Sequence, residues 1–412
     1  MPDESGCGCI SNVAISSDAD RPTMLMGPGS MLRLIREGDA VTRADLARRT
    51  GLARSTVAQR VDALLAHDLV YEAGGGASTG GRPATVLAFN RSAGVVLAAD
   101  LGATHSRLAV SDLAGKPLAE MAIDMAIADG PEPVLEYVDQ HLTELLQQVE
   151  RQREDVRGIG IGVPGPVAFA RGEAVNPPIM PGWDRFSIPE WFGRRYDAPV
   201  LVDNDVNIMA LGEHWTHWRS EPYFLYVKAG TGIGCGVVAH GEVHRGAQGA
   251  AGDIGHIRIA GHDDQLCRCG NLGCLEAVAG GAALARRLRE VGVEAQTSRD
   301  VVVLVRAGNG EAGRMVRDAG RALGEVLAGC VNFFNPNVIV IGGDLAEAGE
   351  QLLAGVREVT IQRSLPLATR DLRVVQSRLG DGAGVVGAAI MVIEHVLAPE
   401  VVDRAVLGGV TA

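Results

Sequence analysis

The chain has no apolar run of the roughly 18 residues that a membrane-crossing helix requires. Its N-terminus carries Asp3 and Glu4 where a secretory signal would be basic and then apolar. The expectation is a cytoplasmic protein with no membrane partner. Cysteine is scarce and odd in number, seven in 412 residues and partly clustered, which fits a reducing compartment better than a disulfide framework. Lysine is almost missing; the basic residues are nearly all arginine, a bias read as genomic and without functional weight. Positive charge is short as well, with 38 basic against 50 acidic residues and a net charge of −12. Residues 1–30 are net −3 and residues 91–412 net −11, so only the stretch between them, at +2, suits nucleic acid. The length predicts two or three domains, and a hydrophobic fraction of 47% is that of a globular chain.

What is present is concentrated between Gly252 and Glu276. The segment Gly-Asp253-Ile-Gly-His256 is followed by Cys267-Arg-Cys269-Gly-Asn-Leu-Gly-Cys274-Leu-Glu276. One imidazole and three thiolates form a closed tetrahedral set suited to structural Zn²⁺. A zinc-bound His256 keeps one ring nitrogen for a hydrogen bond, and Asp253 and Glu276 flank the loop. A metal clip that fixes a histidine and two carboxylates is well suited to grip a polyol.

Residues 25–90 read as a winged helix-turn-helix, after a disordered tail over residues 1–24 that holds a Cys7-x-Cys9 pair. A first helix over 31–36 ends at Gly38. Thr42 caps a second helix over 43–50, with Asp45 three residues on, and Gly51 supplies the tight turn. A third helix from Arg54 to about His67 buries Val57, Val61, Leu64 and Leu65. Its other face shows Arg54, Ser55, Thr56, Gln59 and Arg60, side chains that bond phosphates and base edges. The strand from Leu69, a glycine-rich tip and the return over 84–89 form a wing, with Arg82 placed for a minor groove or a phosphate.

Residues 91–412 alternate strands and helices, which predicts an α/β domain. An apolar strand from Val95 runs through Asp100 into Gly102 and Thr104; such a turn can approach a phosphate while Asp100 holds hydrated Mg²⁺, or it can be an ordinary hairpin. Asp205 ends the strand that begins at Val200. It is either a proton acceptor for a substrate hydroxyl, with Asn204 bonding a neighbouring hydroxyl, or the N-cap of the next helix. Gly230, Thr231 and Gly232 form a second glycine turn, a phosphate cradle or a tight hairpin. A buried strand after Asn335 ends in Gly342-Gly343, where a flat nucleoside can rest.

The C-x-C-G-x-x-G-C-x-E run preceded by G-x-I-G-H resembles the ROK family (repressors, open reading frames, sugar kinases), and the resemblance covers residues 25–395. It implies a two-lobed actin/hexokinase-like, ribonuclease H-like fold. In that light Asp100, Gly102 and Thr104 match the first phosphate motif. Gly230, Thr231 and Gly232 match the second, and Gly342 and Gly343 the adenosine motif. Asp205 matches the catalytic base, and Asn204, Asp253, His256 and Glu276 the sugar ligands. His256, Cys267, Cys269 and Cys274 match the zinc ligands. The chain departs from the family at Asp253, where Glu is usual, and at Ala103 and His105. The resemblance implies a sugar-responsive repressor that binds a double-stranded operator as a homodimer or homotetramer. The alternatives are an ATP-dependent sugar kinase using Mg²⁺, or a bifunctional protein.

Overall fold

The computed structural model describes residues 27–75 and 85–408. The expected disordered tail with Cys7 and Cys9, and the wing tip with Arg82, lie outside the described residues. Two compact units are resolved, one of residues 1–90 with 397–412 and one of residues 91–396. Among the described residues no single helix is long and apolar enough to cross a membrane.

The first unit holds three helices, α1 (Pro28–Arg36), α2 (Arg43–Thr50) and α3 (Arg54–Ala66), then the antiparallel pair β1 (Val70–Gly75) and β2 (Thr85–Phe89). Thr42 caps α2 by accepting from the Asp45 N–H at 3.1 Å, and Gly51 ends it with φ at +69°, a conformation glycine adopts without strain. Met31, Leu32, Leu46, Val57, Val61 and Leu64 are buried. Three faces of helical spacing thus close on one small core. Helix α1 begins three residues earlier than its apolar pattern implies, because Pro28 fits the first turn.

The chain's last helix, Pro399–Leu407, also belongs to this unit, although the sequence reading ran the second domain to residue 412. It packs on α1: the Gly29 N–H donates to Asp403 Oδ1 at 2.7 Å, and Val402 and Val406 are buried. A β-carbon on Gly29 would meet the Pro399 carbonyl oxygen at 2.2 Å, so the two backbones touch only because residue 29 is glycine.

The second unit is a duplicated α/β layer. Its first half contains β3 (Val95–Leu101), β4 (His105–Asp112), β5 (Pro117–Asp124), α4 (Pro131–Gln148), β6 (Val156–Val163), the short pair β7 (Val167–Ala168) and β8 (Glu173–Ala174), α5 (Ile188–Gly193) and β9 (Val200–Asn204). Helix α6 (Asp205–His217) leads to β10 (Tyr223–Ala229), β11 (Ile233–Ala239), β12 (Glu242–Val243), α7 (Leu275–Ala279), α8 (Gly281–Glu290), α9 (Ser298–Arg306) and α10 (Gly310–Phe334). The chain then forms β13 (Val338–Gly342), α11 (Glu350–Arg363), α12 (Pro366–Thr369), β14 (Arg373–Gln376) and α13 (Ala383–Val396). The sheets run β5-β4-β3-β6-β9 and β12-β11-β10-β13-β14. In each, an antiparallel meander of three is extended by two parallel strands, so one topology occurs twice. The expected fold class, a helix-turn-helix followed by a two-lobed ribonuclease H-like domain, is the one observed.

Helix α6 is the element that places the site. It leaves β9 of the first sheet and packs against β11 of the second and against α13. At the crossing of α6 and α13, a β-carbon on Gly387 would lie 1.7 Å from the Ile208 carbonyl oxygen, and one on Gly212 would lie 2.2 Å from that of Ala383. Backbone-to-backbone contact of this kind leaves no side-chain layer to slip, so the first turn of α6 is held firmly.

Candidate functional site

The start of β11 gathers the predicted polar residues. The Ile233 N–H donates to Glu276 Oε2 at 3.1 Å, which draws in the first turn of α7. Gly234 and Gly236 leave room for Val206, the neighbour of Asp205. The Cys235 N–H donates to the Gly252 carbonyl at 2.9 Å, and Gly255 fits against the Ile233 carbonyl. Asp205, Glu276 and the loop carrying Asp253 and His256 therefore converge on one strand end.

Within this set the cap of α6 is Asn204, not Asp205. The Asn204 side-chain oxygen Oδ1 accepts from Val206 N–H at 2.9 Å, while its Nδ2 donates to the Gly165 carbonyl at 3.0 Å. Asp205 is the first helical residue, 5% exposed. Its carboxylate accepts from Val206 N–H at 2.8 Å and from Lys228 Nζ at 2.6 Å. Lys228, on β10, was not singled out from the sequence. Neither was the pair beside it, in which buried Asp203 accepts from half-buried Arg245 Nε at 2.8 Å, from Asn207 at 2.8 Å and from the Asn204 N–H at 2.8 Å. Arg245 stacks its guanidinium 3.7 Å from the Phe169 ring centroid. Asp203 thus anchors the end of β9 and leaves its neighbours to face the cleft.

Asp100 ends β3 with its carboxyl packed at α13, where a β-carbon on Gly384 would lie 1.9 Å from Oδ2. Burial pushes its pKa up to about 7; Lys228 pulls it back down and Asp205 adds to the rise. On Lys228 burial works downward, but the carboxylates of Asp205 and Asp100 outweigh it and raise the pKa, so its ammonium is charged at neutral pH.

The two glycine turns are real turns. The Gly102 N–H donates to the His105 carbonyl at 3.0 Å, with Thr104 exposed between β3 and β4. In the second, the Gly230 N–H donates to the Gly232 carbonyl at 3.0 Å, while the carbonyls of Gly230 and Thr231 accept from the first residues of α8. Gly342 ends β13 and Gly343, at φ +81°, turns into a short 3₁₀ segment. Beside it Asp344 accepts from Ser298 Oγ at 2.5 Å and from Arg299 Nε at 3.2 Å.

The four proposed metal donors converge, the ring nitrogen and three sulfurs lying within 4.8 Å of one another. His256 Nδ1 is 3.5 Å from Cys267 Sγ, and Cys269 Sγ is 3.7 Å from Cys274 Sγ. A tetrahedral zinc with bonds of about 2.3 Å to sulfur and 2.0–2.1 Å to nitrogen has edges of roughly 3.8 and 3.5 Å, so the donor set fits that ion. His256 presents Nδ1 to the sulfurs and Nε2 to Asp253, whose Oδ1 is 3.9 Å away.

In the first unit, Arg54, Ser55 and Gln59 are exposed on α3 and Thr56 and Arg60 half-buried, while Val57 and Val61 are buried. Arg43 ties α2 to α3 and the wing through Asp62 at 3.0 Å and Glu72 at 2.8 Å.

Residues 96–395 match the sequence model of the ROK family, and residues 30–74 that of the IclR helix-turn-helix domain. The chain is 34% identical over 382 residues to a putative xylose repressor of Caldicellulosiruptor sp. strain Rt8B.4, covering 89% of this chain and 95% of that one. It is 30% identical to a glucokinase of Thermotoga maritima, a match covering 73% of this chain and 98% of the kinase. Among solved structures, a ROK family transcriptional regulator described as a homologue of the E. coli MLC protein superposes with a TM-score of 0.78 at 26% identity, over 93% of this chain and 98% of that one. The repressor-type relatives extend over the helix-turn-helix, whereas the kinase is used up by the second unit. Fold and site together define a sugar-responsive, DNA-binding transcriptional regulator whose body is a sugar-kinase fold. The chain belongs to the ROK family.

Proposed function

We propose that this regulator is a cytoplasmic repressor of sugar metabolism that binds a monosaccharide at the β11 strand end. The convergence of Asp205, Glu276, Asp253 and His256 on β11 carries this reading. Asp205 and Asn204 take ring hydroxyls from the α6 side. Glu276, Asp253 and His256 Nε2 take them from the other, with zinc at His256, Cys267, Cys269 and Cys274 holding the loop. An aldopentose of the xylose type is the first candidate, because the putative xylose repressor aligns over most of both chains. The protein acts as at least a homodimer, since one winged helix reads one half-site and a two-fold pair reads an inverted repeat.

Operator binding measured by fluorescence anisotropy with xylose, glucose and N-acetylglucosamine tests the proposal. One sugar should shift operator affinity, and Asp205→Asn should weaken its binding by roughly tenfold, about the ~1.4 kcal/mol of one charge-assisted hydrogen bond. Unchanged sugar affinity in that variant would remove Asp205 from the site. On the DNA side, Arg54→Ala and Arg60→Ala should each cost about 1–3 kcal/mol of operator binding, with sugar affinity unaltered. Operator affinity that survives both substitutions would rule out this face of α3.

A further inference from the structure

Lys116 and Lys228 are the chain's two lysines, against 36 arginines. Lys116 is exposed beside the β4–β5 turn, where any polar residue would do. Lys228 is different. Its Nζ lies 2.6 Å from Asp205 Oδ2, and its stem folds back so that Cε is 3.7 Å from the position of a β-carbon on Gly230. A compact ammonium on a flexible stem fits such a gap, and a planar guanidinium does not.

Lys228 lies in the part of the cleft that a metal–nucleotide complex would need. The side chain lies over Gly230, in the turn that would cradle a phosphate. In the same turn a β-carbon on Gly232 would lie 2.2 Å from Glu276 Oε2, so a carboxylate already rests against the backbone there. The Gly230 and Ile233 N–H groups are spent on Gly232 and Glu276. Farther along, an open cavity of about 580 Å³ is bordered by Arg107, Arg299 and Arg306. Each of these arginines is paired with an acid, Asp381, Asp344 and Glu347 respectively. Beside Asp205, the place a metal ion would take is held by an ammonium.

We infer that Lys228 is a resident cation of this cleft, holding the place beside Asp205 that a divalent ion would take, so that sugar is read without nucleotide. The inference rests on the sugar site proposed above and deepens it. A sugar hydroxyl arriving at Asp205 shares that carboxylate with the ammonium. Lys228 is a specificity residue: it leaves the sugar half of a kinase cleft in use and closes the phosphate half to a metal.

The test uses the full chain with its zinc retained and Mn²⁺ as the probe, titrated by electron paramagnetic resonance with and without the non-hydrolysable nucleotide AMP-PNP. Wild type should show weak Mn²⁺ binding, and its sugar affinity should be the same with and without Mg²⁺ and AMP-PNP. Lys228→Met should bind Mn²⁺ tighter by roughly tenfold or more, equivalent to ~1.4 kcal/mol. Adding Asp205→Asn should abolish the gain. Unchanged zinc content and circular dichroism show that the variant is folded, and Lys228→Gln carries the same expectation should the methionine variant misfold. Wild-type Mn²⁺ binding as tight as the variant's, no gain in folded Lys228→Met or Lys228→Gln, or a wild-type sugar affinity that rises with Mg²⁺ and AMP-PNP would each overturn the inference. A sugar effect on operator binding in wild type is scored separately and decides only the regulator reading.

Discussion

Removing residues 397–412 is expected to abolish specific operator binding while sugar binding persists. The deleted helix buries Val402 and Val406, each 3% exposed, and Asp403 accepts from the Gly29 N–H at 2.7 Å. Burying a valine is worth about 1.5–3 kcal/mol, and a hydrogen bond to a charged group about 1.5–3 kcal/mol. A single core in a domain this small supplies roughly 3–5 kcal/mol, so the loss is comparable to all of it. The truncated chain should lose the unfolding transition of the first unit in calorimetry and fail to retard operator DNA. Gly29→Ala should act in the same direction more mildly, because its β-carbon would press on the Pro399 carbonyl. A truncated protein with wild-type operator affinity would show that this helix is dispensable.

The second large effect is expected at Cys274. Protein purified without chelators should carry about one Zn²⁺ per chain, and Cys274→Ser should carry none. Binding free energies of about 10–16 kcal/mol are typical of structural zinc in small folded elements, so the loop over residues 252–274 should lose its fixed form. His256 and Asp253 would then no longer be held against β11. Sugar affinity should fall by roughly 10–100-fold, the range seen when the support of a metal ligand is removed. Elemental analysis and calorimetric titration check both halves. Full sugar affinity in a zinc-free protein would separate the metal from the sugar site.

Much of this was legible in the sequence because it rests on short-range patterns. Thr42, Asp45 and Gly51 state where α2 begins and ends, and the H-x10-C-x-C-x4-C spacing states a metal set that the fold brings together. What escaped depends on long-range pairing. Asp403 and Gly29 are 374 residues apart, and no local period marks a nine-residue helix as the partner of the first. Asp203, on β9, and Arg245, in the loop after β12, meet from 42 residues apart. Whether Asp205 or Asn204 caps α6 is a one-residue question that periodicity does not answer. Lys228 could have been flagged, since one of two lysines in an arginine-rich chain stands two residues before a glycine turn.

The last helix also bears on how such a protein can be rebuilt. The chain passes between its two units twice, once after Asn90 and once after Val396. A chimera that exchanges only residues 1–90 would graft a foreign head without its own closing helix. It would also leave the host's Val402 and Val406 facing a surface they were not selected to fit. Retargeting this regulator to a new operator therefore requires transplanting both termini together, and a tag or fusion at the C-terminus sits on the DNA-reading unit, not on the sugar-reading one.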